Sequence, residues 1–179
     1  LGQLGSGSIT PSSIANAVSG ISGQTLEIAS GDATVCAMSA INLGDAEANH
    51  IVSCWGAGTS GQLGDGASLD RAIPIRVPSI ASPTAIQLSL GNQHTCLLFA
   101  GPPDGTSSFG CFGANGSGQL ADGTTLPRST FAPSTLSAVA GASRIFAGHD
   151  VTCGQTAEGT GCIGGGSLFS FEEVLGPRT

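Results

Sequence analysis

The sequence contains no lysine, and its basic residues are five arginines set against twelve aspartates and glutamates, giving a net charge of −7. Proteins that bind nucleic acids need a basic surface that displaces counterions from the phosphates. A polybasic membrane anchor needs the same cluster of positive side chains. The charge balance therefore argues against direct binding of DNA or RNA and against an electrostatic membrane anchor.

Long apolar runs and aromatic side chains are scarce as well. No apolar run reaches the roughly 18 residues of a membrane span, so no membrane insertion is expected. Aromatic residues make up 4% of the chain, with no tyrosine and one tryptophan. Glycine is abundant instead, at 29 of 179 residues. Because each glycine inside a helix costs about 1 kcal/mol relative to alanine, this composition argues against long helices and favours a turn-rich chain.

A short motif occurs three times at nearly fixed spacing, at residues 2–5, 61–64 and 118–121. We call it the GQL motif, after its Gly-Gln-Leu core. Successive copies begin 59 and 57 residues apart. Such a period indicates one supersecondary unit copied along the chain, and repeat scaffolds favour a binding surface over a catalytic pocket. Because the first copy follows directly on Leu1, we expect the chain to be part of a longer chain or of a larger assembly.

The cysteines form one pair in each copy, and a short apolar alternation precedes each pair. The first cysteine of a pair lies five residues after a glycine, and the second opens a Cys-x-Gly triplet. Alternation with a period of two predicts a strand with one buried face before that glycine. The alternating residues are Leu26 and Ile28 in the first copy, Ile86, Leu88 and Leu90 in the second, and Ile145 and Ala147 in the third.

Each copy therefore predicts a strand, a glycine turn, a strand with a cysteine, a hairpin loop and a second strand with a cysteine. A final outer strand is expected at 73–77 and 131–139, since proline is tolerated on an edge strand. Three or four antiparallel strands in 57–60 residues are typical of a propeller blade. The predicted units are approximately 6–64, 65–121 and 122–179. The hairpin loops at 40–50 and 100–108 differ between copies, which favours them as recognition loops.

The segment 56–66, followed by 88–96, resembles the repeat of the regulator of chromosome condensation family. The resemblance covers nearly the whole chain, about three repeats. It implies an all-β fold of antiparallel propeller blades, since that family forms seven-bladed β-propellers. Residues 1–179 would then be a partial β-propeller of about three blades.

Aligning the repeats by their cysteines predicts three disulfides within blades: Cys36–Cys54, Cys96–Cys111 and Cys153–Cys162. Neighbouring antiparallel strands bring opposite residues close enough for such bonds. Free buried thiols in a cytosolic propeller are the alternative, whereas a zinc site lacks a Cys-x-x-Cys pattern and clustered histidines. Disulfides favour an extracellular or cell-surface location. The tripeptide Asn115-Gly116-Ser117 is a possible N-glycosylation site at Asn115.

Candidate catalytic and cofactor sites are weak. The G-x-G-x-x-G pattern at 56–61 is not followed by a helix-forming sequence, which a dinucleotide site requires. His94 is interpreted as a structural strand residue, and His149 and Asp150 are expected on opposite faces of a strand. Asp65-Gly66 and Asp122-Gly123 are interpreted as turns. We therefore expect no catalytic residue, cofactor or metal.

The leading hypothesis is a non-enzymatic extracellular or cell-surface module. It would present variable loops to a protein partner or to copies of itself. A secreted propeller-type enzyme inhibitor is the alternative, because a secreted β-lactamase inhibitor of bacteria resembles this family. A guanine-nucleotide exchange factor, the activity of the family's namesake, is disfavoured by the paired cysteines and the net charge.

Overall fold

The described residues of the protein form three four-stranded antiparallel sheets. The structure is a computed structural model, and it describes residues 1–41, 49–81, 85–101, 107–135, 141–165 and 167–169. No helix among those residues is long and apolar enough to cross a membrane. The first sheet holds β1 (Gln24–Ser30), β2 (Thr34–Ile41), β3 (Asn49–Gly56) and β4 (Arg71–Ala81); the second holds β5 (Ala85–Leu90), β6 (His94–Phe99), β7 (Ser108–Gly113) and β8 (Arg128–Pro133); the third holds β9 (Arg144–Ala147), β10 (Val151–Gln155), β11 (Thr160–Gly164) and β12 (Ser167–Phe169).

Strands that follow one another in sequence are neighbours in each sheet, which is the arrangement of a propeller blade. The all-β fold and the antiparallel blades agree with the prediction from sequence. The repeat units at 6–64, 65–121 and 122–179 stay a prediction, because the sheets define blades and not sequence copies.

The paired cysteines lie on the two central strands of each sheet, directly opposite one another. Their Cα atoms are 4.0–4.1 Å apart. This separation is shorter than the roughly 4.5 Å of an ordinary non-hydrogen-bonded antiparallel pair, so the two central strands lie close together at each cysteine pair. The structure contains the disulfides Cys36–Cys54, Cys96–Cys111 and Cys153–Cys162, and none of the six cysteines is free.

The outer strands contain proline, and β4 lies at the edge of its sheet with Pro74 and Pro78 within it. An edge position suits proline, which has no N–H to donate to a further strand. The predicted outer strand at 131–139 is wrong in its bounds. The strand begins at Arg128, which pairs with Gly113, and ends at Pro133. Residues 136–140 lie outside the described part of the chain.

The hydrophobic core lies between the sheets. Leu63 of the first unit packs with Leu88 and Phe112 of the second in one buried cluster, which includes the first disulfide. A second cluster joins Leu120 to Ile145 and includes the second disulfide. Each fully buried leucine or phenylalanine contributes about 1.5–3 kcal/mol. The apolar side chains of these clusters are therefore buried when one blade packs on the next.

The first strand departs from the predicted burial. Leu26 and Ile28 are 44% and 62% exposed, whereas Leu88, at the position equivalent to Ile28, is 3% exposed. The opposite face of β1 meets the second sheet, where the Glu27 carboxylate accepts a hydrogen bond from the Leu88 N–H at 2.8 Å. No described sheet packs on the face that carries Leu26 and Ile28. The prediction of a buried face for these two residues is therefore wrong.

The GQL motifs at 61–64 and 118–121 lie between the third and fourth strands of their sheets and contact the next sheet. Thr95 donates its hydroxyl to the Gln62 carbonyl at 2.9 Å, and Thr152 donates to the Gln119 carbonyl at 2.7 Å. In the first copy Trp55 Nε1 donates to the Gln3 carbonyl at 2.9 Å. The leucines of the second and third copies, Leu63 and Leu120, are fully buried.

The last residue of the motif packs on the side chain that follows the second cysteine of the next sheet. A β-carbon at Gly64 would lie 2.7 Å from Cε2 of Phe112, and Gly64 has a φ of +68°. Glycine is therefore required at position 64 for two reasons. A β-carbon would clash with Phe112, and the positive φ is unfavourable for other residues. In the third copy an isoleucine, Ile163, replaces the aromatic residue, and Ala121 is accommodated at φ +56°.

We predict that Gly64→Ala destabilises the protein by about 2–4 kcal/mol, because it adds overpacking against Phe112 to the cost of a left-handed alanine. Gly66→Ala is the matched control. Gly66 has a φ of +84°, but a β-carbon there would meet only Thr130 at 3.9 Å. It should cost about 1 kcal/mol, the backbone cost alone. Urea unfolding of both variants measures the difference, and equal losses would contradict the packing argument.

Candidate binding surface

The same glycine turn joins the first and second strands of every sheet. The glycine N–H donates to the carbonyl three residues later at 2.8–2.9 Å in all three copies. The turns lie side by side, since a β-carbon at Gly31 would be 2.2 Å from the Gly91 carbonyl oxygen. One at Gly91 would be 2.2 Å from the Gly148 oxygen. Only glycine permits this close stacking of backbone on backbone.

The residues after these glycines form a continuous polar surface, which we call the turn row: Asp32, Asn92, Gln93, His149 and Asp150. Asp32, Gln93 and His149 are exposed, and the other two are partly exposed. The Asn92 N–H donates to the Gly148 carbonyl at 3.2 Å, which ties neighbouring turns together. A fixed backbone thus carries different side chains in each copy, an arrangement suited to recognition. The sequence alone could have indicated this surface, because the residues that follow the turn glycine differ between the three copies.

The turn row carries two aspartates and no arginine. Two arginines elsewhere are already paired with buried carboxylates: Arg71 with Asp65 and Arg128 with Asp122, each at 2.6 Å. Burial raises the pKa of Asp122, but hydrogen bonds from Thr124, Arg128 and Asn115 outweigh it and lower that pKa overall. These ion pairs hold the loops after the GQL motifs, so Arg71 and Arg128 do not offset the negative charge of the turn row.

The expectation for His149 and Asp150 is wrong. Their side chains do not point to opposite faces, because they lie in the turn between β9 and β10, where strand alternation does not apply. His149 Nδ1 lies 2.9 Å from Asp150 Oδ2. The imidazole is 79% exposed, and ion pairs at such positions contribute little to stability. The pair belongs to the polar surface of the turn row.

His94 is buried between the second and third sheets. Its Nε2 lies 2.9 Å from Thr152 Oγ1. Because Thr152 already donates its proton to the Gln119 carbonyl, His94 Nε2 must be the donor in this contact. Nδ1 is buried without a hydrogen-bond partner in the described structure. Burial lowers the pKa of His94 to about 4, although Asp150 and the Val151 backbone act in the opposite direction. The ring is neutral at pH 7 and connects two blades.

His94 should make the protein less stable in mild acid. The unfolded histidine binds a proton below a pKa of about 6.5 and the folded one only below about 4. Stability is therefore complete above pH 6.5 and falls as the pH decreases towards 4, by about 3 kcal/mol in total. Unfolding in urea at several pH values should show a shallower slope for His94→Gln. His149→Gln, an exposed control, should keep the wild-type slope. An unchanged slope in His94→Gln would refute this role.

Asn115 is fully buried, contrary to what glycosylation requires. Its Nδ2 donates to the carbonyls of Thr124 and Leu126 at 3.0 Å and to Asp122 Oδ1 at 3.2 Å. Its Oδ1 accepts the Leu120 N–H at 2.9 Å. A glycan on Nδ2 would remove these donors and could not fit in the interior. The structure therefore contradicts the predicted glycosylation site and makes Asn115 the residue that closes the loop after β7.

We predict that Asn115→Ala costs about 2–4 kcal/mol, because it leaves several buried polar groups without partners. Ser117→Ala also removes the glycosylation tripeptide but leaves the Asn115 side chain in place. It should change the free energy of unfolding by less than about 0.5 kcal/mol. The wild type should lack a glycan at Asn115 when it passes through a glycosylating secretory pathway, and the two variants, which lack the tripeptide, give the mass of the unglycosylated chain for comparison. A glycan found on folded wild-type protein would overturn this assignment.

The remaining predictions concern the hairpin loops, the glycine pattern at 56–61 and metal sites. Residues 42–48 and 102–106 of the hairpin loops lie outside the described residues. The pattern at 56–61 leads into consecutive turns, in which the Gly64 N–H donates to the Gly61 carbonyl at 3.0 Å. Within the described ranges, no group of three or more His, Cys, Asp or Glu side chains is placed to hold a metal ion.

Comparison with known families identifies the repeat. Residues 52–98 match the model of the regulator of chromosome condensation (RCC1) repeat. The chain carries an RCC1 repeat. The matched segment runs from β3 of the first blade, through the GQL motif, to β6 of the second blade. The RCC1 repeat thus covers the junction between two blades, where the Gln62 carbonyl and Leu63 contact the second sheet.

Two solved structures share the fold. Human WBSCR16 superposes with a TM-score of 0.62 at 18% identity, over 84% of this chain and 37% of that one. Prp20p from Saccharomyces cerevisiae, described with its binding to Gsp1p and histones, gives 0.54 at 18% identity, over 78% of this chain and 30% of that one. The chain therefore has the RCC1-like propeller fold and spans about a third of the length of these structures.

Proposed function

We propose that this chain is a non-enzymatic, extracellular or cell-surface binding module of RCC1-like fold. It presents the turn row, which lies at the strand ends opposite the hairpin loops, to a protein partner or to further copies of the chain. The single observation that carries the proposal is the set of three cross-strand disulfides, one in each blade. Such bonds form and persist in oxidising compartments and are rare in the cytosol and nucleus.

The turn row supports a binding role. Its side chains differ between blades while the backbone beneath them repeats, so the surface can vary without disturbing the core. Asp32 and Asp150 make this surface negative, which favours a partner with a basic face. Prp20p, a protein of the same fold, is described as binding two kinds of protein. Protein binding is therefore within the capacity of the scaffold.

The extracellular or cell-surface location can be tested by measuring the mass of the protein after alkylation. Protein taken from its native compartment and alkylated without reduction should carry no alkyl group. Its mass should be about 6 Da below that of the fully reduced chain, since each disulfide removes two hydrogens. Six alkylated cysteines would contradict the extracellular or cell-surface assignment. Protein reduced in denaturant before alkylation is the control.

The binding surface can be tested by charge reversal. Asp32→Arg combined with Asp150→Arg should weaken capture of cross-linked extracellular partners by about tenfold or more, because close charge pairs contribute over 1.4 kcal/mol at interfaces. Glu158→Arg is the control, since Glu158 lies in the hairpin at the opposite end of β10. It should leave capture unchanged. Equal capture by all three proteins would show that the turn row is not the binding surface.

An exchange factor, the activity of the family's namesake, is the second candidate, favoured by the RCC1 repeat at residues 52–98. It is distinguished by a binding assay against purified small GTPases with nucleotide removed. An extracellular binding module should bind none of them, and nucleotide release should not accelerate. Binding that accelerates release would replace the proposed function.

A further inference from the structure

In the first two blades, a polar side chain on the first strand reaches across to the first strand of the next blade. Glu27 of β1 and Gln87 of β5 each lie four residues before the turn glycine of their own blade. The residues that they contact, Leu88 and Ile145, each lie three residues before the turn glycine of the following blade. The two junctions can therefore be compared position by position.

At the junction between the second and third blades, this contact consists of two hydrogen bonds. The Gln87 amide donates from Nε2 to the Ile145 carbonyl at 2.8 Å, and its Oε1 accepts the Ile145 N–H at 2.9 Å. Ile145 lies on β9, which is the edge strand of the third sheet. The amide thus satisfies both backbone polar groups of one residue on an unpaired strand edge.

At the junction between the first and second blades, a glutamate occupies the same position and makes half of this contact. Glu27 Oε2 accepts the Leu88 N–H at 2.8 Å. Leu88 also lies on an edge strand, β5. An ionised carboxylate has no hydrogen to donate, so it cannot bind the Leu88 carbonyl as Gln87 binds that of Ile145. A protonated carboxyl has one O–H and can satisfy both groups.

The strands that pack against β1 place few ionisable groups near Glu27. Neither β2, beside it in the sheet, nor β5, across the junction, carries an ionisable side chain apart from the disulfide-bonded Cys36. His50 of β3 contacts β5, where its Nδ1 lies 2.6 Å from the Ala85 carbonyl and must be the donor. Burial raises the pKa of the Glu27 carboxyl, and the Leu88 N–H lowers it by less.

We propose that Glu27 is a protonation-sensitive contact between the first and second blades. The protonated carboxyl binds both backbone polar groups of Leu88, whereas the carboxylate binds only its N–H. Acid therefore tightens this junction, while it weakens the His94 contact between the second and third blades. The inference rests on the comparison of two equivalent junctions, and it holds whether or not the proposed partner-binding function is correct.

The direction of the pH effect follows from proton linkage. Because the pKa of Glu27 is raised above its ordinary value of 4.5, the folded protein keeps this proton to a higher pH than the unfolded chain does. The stabilisation by the protonated carboxyl is therefore complete below pH 4.5 and is lost as the pH rises through the folded pKa. At pH 7–8 the junction has its weaker form.

Glu27→Gln tests the proposal, because it gives the first junction the side chain of the second. In urea unfolding at pH 8 the unfolding constant of the variant should be about threefold to tenfold smaller than that of the wild type, the effect of one net hydrogen bond. This gain should shrink towards pH 4. Since both proteins contain His94, its contribution cancels at each pH. No gain at pH 8, or the same gain at pH 8 and pH 4, would overturn the proposal.

Gln87→Glu is the reciprocal variant, which places a carboxylate against Ile145. It should raise the unfolding constant at pH 8 by about threefold to tenfold, and most of this loss should be recovered towards pH 4. A loss that acid does not recover would show that a protonated carboxyl cannot replace the amide, which contradicts the proposal.

The wild-type protein provides a test that needs no variant. Titration of the Glu27 carboxyl followed by ¹³C NMR should have a midpoint above pH 4.5 in the folded protein. The amide signal of Leu88, whose N–H is bonded to this carboxyl, should move with the same midpoint. The urea-unfolded chain is the control. A folded midpoint at or below the unfolded one, or a Leu88 amide that does not respond, would refute the inference.

Discussion

The contact between each GQL motif and the following blade is the constraint on which the rest of the structure depends. A four-stranded sheet of this size cannot bury its own apolar face, so stability requires a neighbour. In its second and third copies the motif provides a buried leucine and a main-chain carbonyl that accepts the hydroxyl of Thr95 or Thr152. The last residue of the motif lies against the side chain that follows the second cysteine of the next sheet. That is why Gly64 accompanies Phe112 while Ala121 accompanies Ile163.

This constraint places the sequence repeat out of phase with the blade. The RCC1 match at 52–98 begins in one sheet and ends in the next, because the residues that must fit together lie across the junction. His94 illustrates the consequence. It belongs to the second blade by its strand, but its hydrogen-bond partner Thr152 lies in the third. Mild acid should therefore weaken the junction between these blades before it affects the interior of either one.

The sequence alone was sufficient to predict the features that the repeat sets within one blade. The cysteine pairing followed from aligning the copies, and cross-strand neighbours then had to lie opposite one another. It was not sufficient for burial between blades. Ile28 and Leu88 are equivalent in sequence but differ in exposure, because only Leu88 has a sheet packed upon it. Asn115 was misjudged for a related reason: its partners, such as Leu126, lie in a loop whose path no local pattern specifies.

The same dependence on neighbours accounts for the difference in burial among the three disulfides. Where a following sheet covers the disulfide, the flanking residues are apolar, as Leu98 and Phe109 are, and the sulfurs are sealed by packing. Where no described sheet covers it, Gln155 and Thr160 occupy those positions and the bond is partly exposed. Phe146, opposite Cys153 on the same face, is 47% exposed, so this face carries both polar and apolar side chains. The position of the disulfide is thus the same in every blade, whereas its burial depends on the sheet that packs against it.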